Sequence, residues 1–308
     1  MVDVVDINEI LEKHNIDLNS LDNVSTKLEE LEDTCDEGEI IDICTFLLCN
    51  VKEPEYLISI IRFADSHKDG SILSVLLNIL LLKNVISEDI DSLINLRVIC
   101  AKAISNYKDT STVGSLLYCL NNKNENYKVR LACADALGRI GDKYAVAPLI
   151  DVVQDEEEKS VYVKESAAFA LGLLGDTRAV DPLVSIIEAK QGIIDKFSFL
   201  KERIIEALGK LNINNSRVLK VLKMSLSDSS AMVRINAIEA LMNSDYEEAP
   251  ELIRTSLKDE DTEVQRNALI ALYNIIGRDI LDEVISLPGY SDFLKQEAQE
   301  MINEYEEE

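Results

Sequence analysis

The sequence has no tryptophan, two histidines, five prolines and eleven glycines in 308 residues. So little proline and glycine leaves few sharp reversals. That suits helices joined by short turns and argues against a many-stranded β protein. Neither His14 nor His67 is followed by Glu, so the clustered imidazoles on which metal or general-base chemistry draws are missing. The six cysteines (Cys35, Cys44, Cys49, Cys100, Cys119 and Cys133) form no CxxC pair, which disfavours a zinc ribbon or a thioredoxin-like site. Reduced, buried thiols in a cytoplasmic protein are the expectation. The longest apolar run, "SILSVLLNILLL" from residue 71, is too short to span a bilayer and lacks the Lys/Arg face of a membrane-surface helix. It predicts a buried helix. The opening "MVDVVDINEI" is acidic, unlike the basic start of a secretory signal.

Bases are also scarce, 31 against 57 acids. The excess is concentrated at the ends: residues 1–40 hold 13 acids and 2 bases, and residues 282–308 hold 9 acids and 1 base. Such a chain lacks the basic stripe that a nucleic-acid backbone requires.

What is present is repetition. "VRLACADALGRIGD" begins at Val129, and "VKESAAFALGLLGD" begins 34 residues later at Val163. Matching segments start at Leu96, Val129, Val163, Leu200, Val233 and Val264, in steps of 33, 34, 37, 33 and 31. A near-constant period in this range marks a stacked array of small units. From Val129, the residues Ala132, Cys133, Ala136, Leu137 and Ile140 share one helical face. Small residues in mid-helix let a neighbouring helix approach closely. A second apolar helix precedes each of the last five anchors, as in "AVAPLIDVV" (145–153) and "AVDPLVSII" (179–187), with Pro148, Pro182 or Pro250 near its start. Each unit therefore reads as a hairpin, helix A then helix B.

Five residues before each anchor stands Asp91, Asn124, Glu158, Asp195, Asp228 or Asp259. One residue after it stands Arg97, Arg130, Lys164, Lys201, Arg234 or Gln265. The acid is placed to accept N–H groups at the start of helix B. The base is placed to pair with an acid of its own or a neighbouring unit. Read as exposed, such pairs contribute about 0–1 kcal/mol each and set register more than stability.

Helix A with its proline, a turn acid and then "VRxxAAxALGxxGD" resembles the HEAT repeat, and the "ALGRIGD" and "ALGLLGD" endings resemble the PBS-lyase HEAT-like variety. The resemblance covers residues 85–285 and is strongest at 125–185. It implies an all-α fold, a right-handed α-solenoid of stacked helical hairpins whose B helices line a concave face. The stretch "IIEAKQGIIDKFSF" (186–199) departs from it and predicts a local protrusion. Residues 1–84 lack the "VRxxA" signature but show helical patterns near 22–33, 37–50, 54–66 and 71–83; they read as degenerate repeats or a helical cap. Residues 286–308 read as an acidic capping helix with a frayed tail.

No catalytic or metal-binding constellation is expected, and no cofactor. The iron-binding HEAT-like hydroxylases carry repeated His-Glu pairs that this chain lacks. The glycines of "LGRIGD" read as helix C-caps rather than a phosphate cradle. If helix B lines a groove, its non-core positions point into it: Leu131, Asp135 and Arg139, then Glu165, Phe169 and Leu173, then Glu202, Glu206 and Glu239. An exposed Phe169 among leucines and glutamates makes a mixed apolar–acidic strip, suited to a protein or peptide partner with apolar and basic residues. The expectation is a non-catalytic, cytoplasmic scaffold or assembly factor with neither nucleic acid nor membrane as partner. Bilin lyases, which attach tetrapyrroles, carry the same repeats. That leaves a cofactor-handling maturation factor as the alternative, by family analogy.

Overall fold

The computed structural model describes residues 12, 16, 24–83, 89–189 and 198–306. Residues 190–197 of the departing stretch, Asp195 among them, lie outside the described residues, as do most of the first 23 and the last two. Among the described residues every regular element is helical. No described helix is long and apolar enough to cross a membrane.

The chain forms two compact units, residues 1–148 and 149–308. The first contains α1 (Val24–Glu32), α2 (Glu37–Asn50), α3 (Pro54–Ala64), α4 (Gly70–Leu80), α5 (Ile90–Tyr107), α6 (Val113–Asn121) and α7 (Tyr127–Ile140). The boundary falls within α8 (Val146–Gln154). The second unit continues with α9 (Val161–Leu174), α10 (Val180–Glu188), α11 (Ser198–Leu211), α12 (Ser216–Ser225) and α13 (Ala231–Met242). It ends with α14 (Ala249–Arg254), α15 (Thr262–Ile276), α16 (Asp279–Ser286) and α17 (Asp292–Glu306).

Within each unit alternate helices stack. In the first, α1 packs on α3, α2 on α4, α3 on α5 and α5 on α7. In the second, α9, α11, α13, α15 and α17 form one row, with α10 against α12 beside it. Each unit is thus an all-α solenoid of helical hairpins. The anchors Leu96, Val129, Val163, Leu200, Val233 and Val264 are fully buried, as are Cys100, Cys133, Ala167, Ala237 and Ala268 at the shared small position. All six cysteines are free; four are buried, whereas Cys35 is half-buried and Cys49 exposed.

The "GD" dipeptide joins one repeat to the next in two steps. Gly141 and Gly175 end α7 and α9 with φ of 87° and 62°, a conformation that costs glycine nothing. Asp142 and Asp176 then accept the N–H of Tyr144 and Arg178, opening a 3-10 turn that leads into helix A. The other glycines of this motif do a different job from the expected capping. Gly138 and Gly172 are buried inside their helices.

The acid–base ladder also differs from its expected form. Four of its bases are buried, Arg97, Arg130 and Arg234 at 5–6% exposure and Lys164 at 3%, whereas Lys201 is half-buried. Each of the four buried bases reaches back to a carbonyl at the end of its own hairpin's first helix or in the turn after it. Arg97 donates to Leu80 O and Arg130 to Leu120 O, both at 2.8 Å, and Lys164 donates to Val153 O at 3.2 Å. Arg234 donates to Asp228 O at 2.7 Å, and Gln265 to Asp259 O at 2.6 Å. Three also reach forward, Arg97 to Glu125, Lys201 to Asp228 and Arg234 to Asp259. Arg97, Arg130 and Lys164 thus act as substitute C-caps for helix A, and Arg234 and Gln265 hold the turn that follows it. Asp91 stands inside the first turn of α5, and Asp89 is the cap that accepts Asp91 N–H and Ser92 N–H.

At the C-terminal end, α17 buries Leu294, Ala298 and Ile302, a stripe with a spacing of four. Glu297 receives Arg266 of α15 at 2.6 and 2.8 Å.

Candidate functional site

Three B helices of the second unit, α9, α11 and α13, build an open cleft of about 480 Å³. Its depth comes from small residues. A Cβ placed on Gly209 of α11 would lie 2.9 Å from Ala240 Cβ of α13, so these helices touch backbone to backbone along the cleft floor. Longer side chains on either side become the walls.

Of the residues expected to form a strip, Glu165, Glu202, Glu206 and Glu239 line this cleft. Leu173 is exposed at 41% but does not line it. Leu131, Asp135 and Arg139 lie on α7 in the first unit, where Leu131 and Asp135 are half-buried and Arg139 is exposed. Phe169 is half-buried rather than exposed and does not itself line the cleft. Lys210 Nζ sits 4.3 Å from its ring centroid and the Arg203 guanidinium 5.3 Å, a cation–π arrangement from the neighbouring helix.

The four glutamates are not equivalent. Glu206 is held by Lys210 Nζ at 2.6 Å and Arg203 Nη1 at 2.8 Å. Burial alone would raise its pKa, but these two donors outweigh burial and hold the carboxyl below the usual range. Glu206 thus completes a clamp on Phe169. Among the described residues the Glu202 carboxylate accepts only the Ser230 hydroxyl, at 2.8 Å, and its carbonyl accepts Asn236 Nδ2. Glu239 is exposed, and no described cation pairs with it. Glu165 stands apart: its Oε1 is removed from solvent and meets no hydrogen-bond donor among the described residues. Burial pushes the Glu165 carboxyl up, the Glu202 charge adds to this, and Arg203 opposes it.

The apolar wall was missed by the sequence reading. Phe199 and Met232 line the cleft and are 64% and 50% exposed. Each stands one residue before its anchor, and Tyr162, 53% exposed, holds the same place on α9. Aligning the repeats one column earlier would have shown this row.

A family model for HEAT repeats matches residues 80–161 and 195–273, and a model for the PBS lyase HEAT-like repeat matches 163–188. No curated protein matches the chain. Among solved structures the chain is similar to the complex of CpcE and CpcF of phycocyanin lyase from Nostoc sp. PCC7120, at 21% identity and a TM-score of 0.49, over 76% of this chain and 87% of that one. It is similar to human deoxyhypusine hydroxylase in complex with glycerol, at 18% identity and a TM-score of 0.39, over 91% of this chain and all of that one. It is also similar to the karyopherin Kap121p bound to the SUMO protease Ulp1p, at 13% identity and a TM-score of 0.45, over 97% of this chain and 37% of that one.

Proposed function

Because this chain belongs to the HEAT-repeat family, we propose that it is a non-catalytic scaffold or assembly factor that holds a protein partner against the B helices of its repeats. The observation that carries this reading is the cleft on α9, α11 and α13, where exposed Phe199 and Met232 stand beside four glutamates. Its lining supplies charge, apolar contact and the amides of Asn236 and Asn243, which are the means of recognition. Four carboxylates against one arginine and one lysine favour a basic partner over a phosphate backbone. The cytoplasm is the proposed compartment, where six free thiols stay reduced.

The test is affinity capture from the native lysate with the intact protein and with Phe169→Ala and Glu206→Lys, which dismantle the clamp from its two sides. The expected result is one stoichiometric protein partner, retained by the wild type and lost or weakened in both variants while their helical content is unchanged. A partner captured equally by all three contradicts the placement of the site. A coloured eluate carrying a tetrapyrrole would favour the cofactor-handling alternative instead.

A further inference from the structure

We infer that the cleft reads a single Lys or Arg side chain of its partner through Glu165, with Glu202 and Glu239 around it, while the exposed row Tyr162, Phe199 and Met232 receives an adjoining apolar residue. The inference rests on the proposed reading of the cleft as a protein-binding site and adds which residues discriminate.

Charge complementarity selects the occupant. The lining carries four carboxylates, but both of its own cations are spent: Arg203 and Lys210 bind Glu206 and cover the Phe169 ring. Glu165, Glu202 and Glu239 are therefore left without an ion-pair partner among the described residues, and the cleft keeps a net negative charge. A carboxylate oxygen shut off from water without a donor is a costly arrangement, and Glu165 Oε1 is in that state. A guanidinium or ammonium group in the cleft would bind the part of the Glu165 carboxylate that lines it and stabilise the charge that burial disfavours. Such charge-assisted bonds are about twice as strong as neutral ones.

The apolar row gives the partner a direction. Tyr162, Phe199 and Met232 stand one residue before their anchors; Glu165 and Glu202 stand two after, three residues on along α9 and α11, whereas on α13 Glu239 stands seven residues after Met232. Three residues of helix rise correspond to about 4.5 Å. A segment lying across α9, α11 and α13 would thus meet an apolar edge on one flank and carboxylates on the other. An amphipathic partner segment, apolar on one side and basic on the other, meets both.

The experiment is selection of a displayed random peptide library on the full-length protein, followed by titration of the selected peptides against variants. The expected peptides carry Lys or Arg beside an aromatic or aliphatic residue. Their Kd should rise about ten-fold with Glu165→Gln, the loss of roughly one charge-assisted bond. A comparable rise is expected with Met232→Ala, and none with Met224→Ala, an exposed methionine of α12 outside the cleft. Peptides weakened by Met232→Ala but not by Glu165→Gln, or without basic residues, would overturn the assignment of Glu165 and leave the cleft as a binding site. Selection that yields only peptides indifferent to every cleft variant, or none at all, would overturn both.

Discussion

Adding one methyl group at Gly172 tests how the repeats are held together. A Cβ there would lie 2.9 Å from Ala207 Cα and 3.1 Å from Ala207 Cβ. Carbon–carbon contacts relax at about 3.5–4.0 Å, so α9 and α11 would have to part by roughly 0.6 Å. Overpacking of this kind costs about 1–3 kcal/mol. Against it stands the helix propensity that alanine gains over glycine, about 1 kcal/mol. The obstacle is a backbone atom of the neighbouring helix, which cannot rotate away, so the clash should win. Gly172→Ala is expected to lose up to about 2 kcal/mol. Gly114→Ala supplies the control. A Cβ on Gly114, near the start of α6, meets nothing within 4 Å and keeps only the propensity gain, up to about 1 kcal/mol. Urea and thermal unfolding followed by far-UV circular dichroism would read both, at roughly 2–4 °C per kcal/mol for units of this size. The reasoning fails if Gly172→Ala stabilises the protein as much as Gly114→Ala does.

Three further outcomes follow from the same geometry. Arg97→Ala should cost about 3–5 kcal/mol in urea unfolding, because it strands the Glu125 carboxylate, which Arg97 meets at 2.6 and 2.8 Å, together with the Leu80 carbonyl; a loss below about 1 kcal/mol would reduce the ladder to an exposed ion pair. Leu82→Gly should stabilise by about 1 kcal/mol, since Leu82 holds φ of 58° in a Schellman cap closed by Lys83 N–H on Asn78 O, and an unchanged melting temperature would refute the strain. Glu165→Gln should stabilise at neutral pH. The folded-state pKa of Glu165 is raised by burial, so wild-type stability falls as pH rises from the unfolded carboxyl value, about 4.3, through the raised folded value. The advantage of the variant should vanish in unfolding experiments below about pH 4, and a pH-independent difference would contradict the assignment.

Much of the fold was written in the periodic columns. The buried anchors, the small position shared by Cys133 and Ala167, and the αL glycines at 141 and 175 are all local consequences of residue type and spacing. The ladder was legible as a pattern but not as an environment. Arginine and lysine read as surface residues until the helix A carbonyls they cap are placed beside them, and those lie 10 to 17 residues away in sequence for Arg130, Lys164 and Arg97. Phe169 read as exposed because its cover comes from the next repeat. The neutralisation of Glu206 was within reach, since Arg203 and Lys210 stand three residues before and four after it on one helix. Tyr162, Phe199 and Met232 are apolar side chains beside a buried anchor, and residue type alone does not separate such an exposed row from the core.

The most direct test of the binding site is a photo-reactive amino acid placed at Met232 in the cleft or at Met224 on α12, irradiated in native lysate. Both positions lie in the second unit and are comparably exposed, at 50% and 58%. The expected result is a discrete adduct with one protein partner at position 232 and none at 224. Equal adducts at both, or an adduct at 224 alone, would contradict the cleft as the surface through which this protein acts.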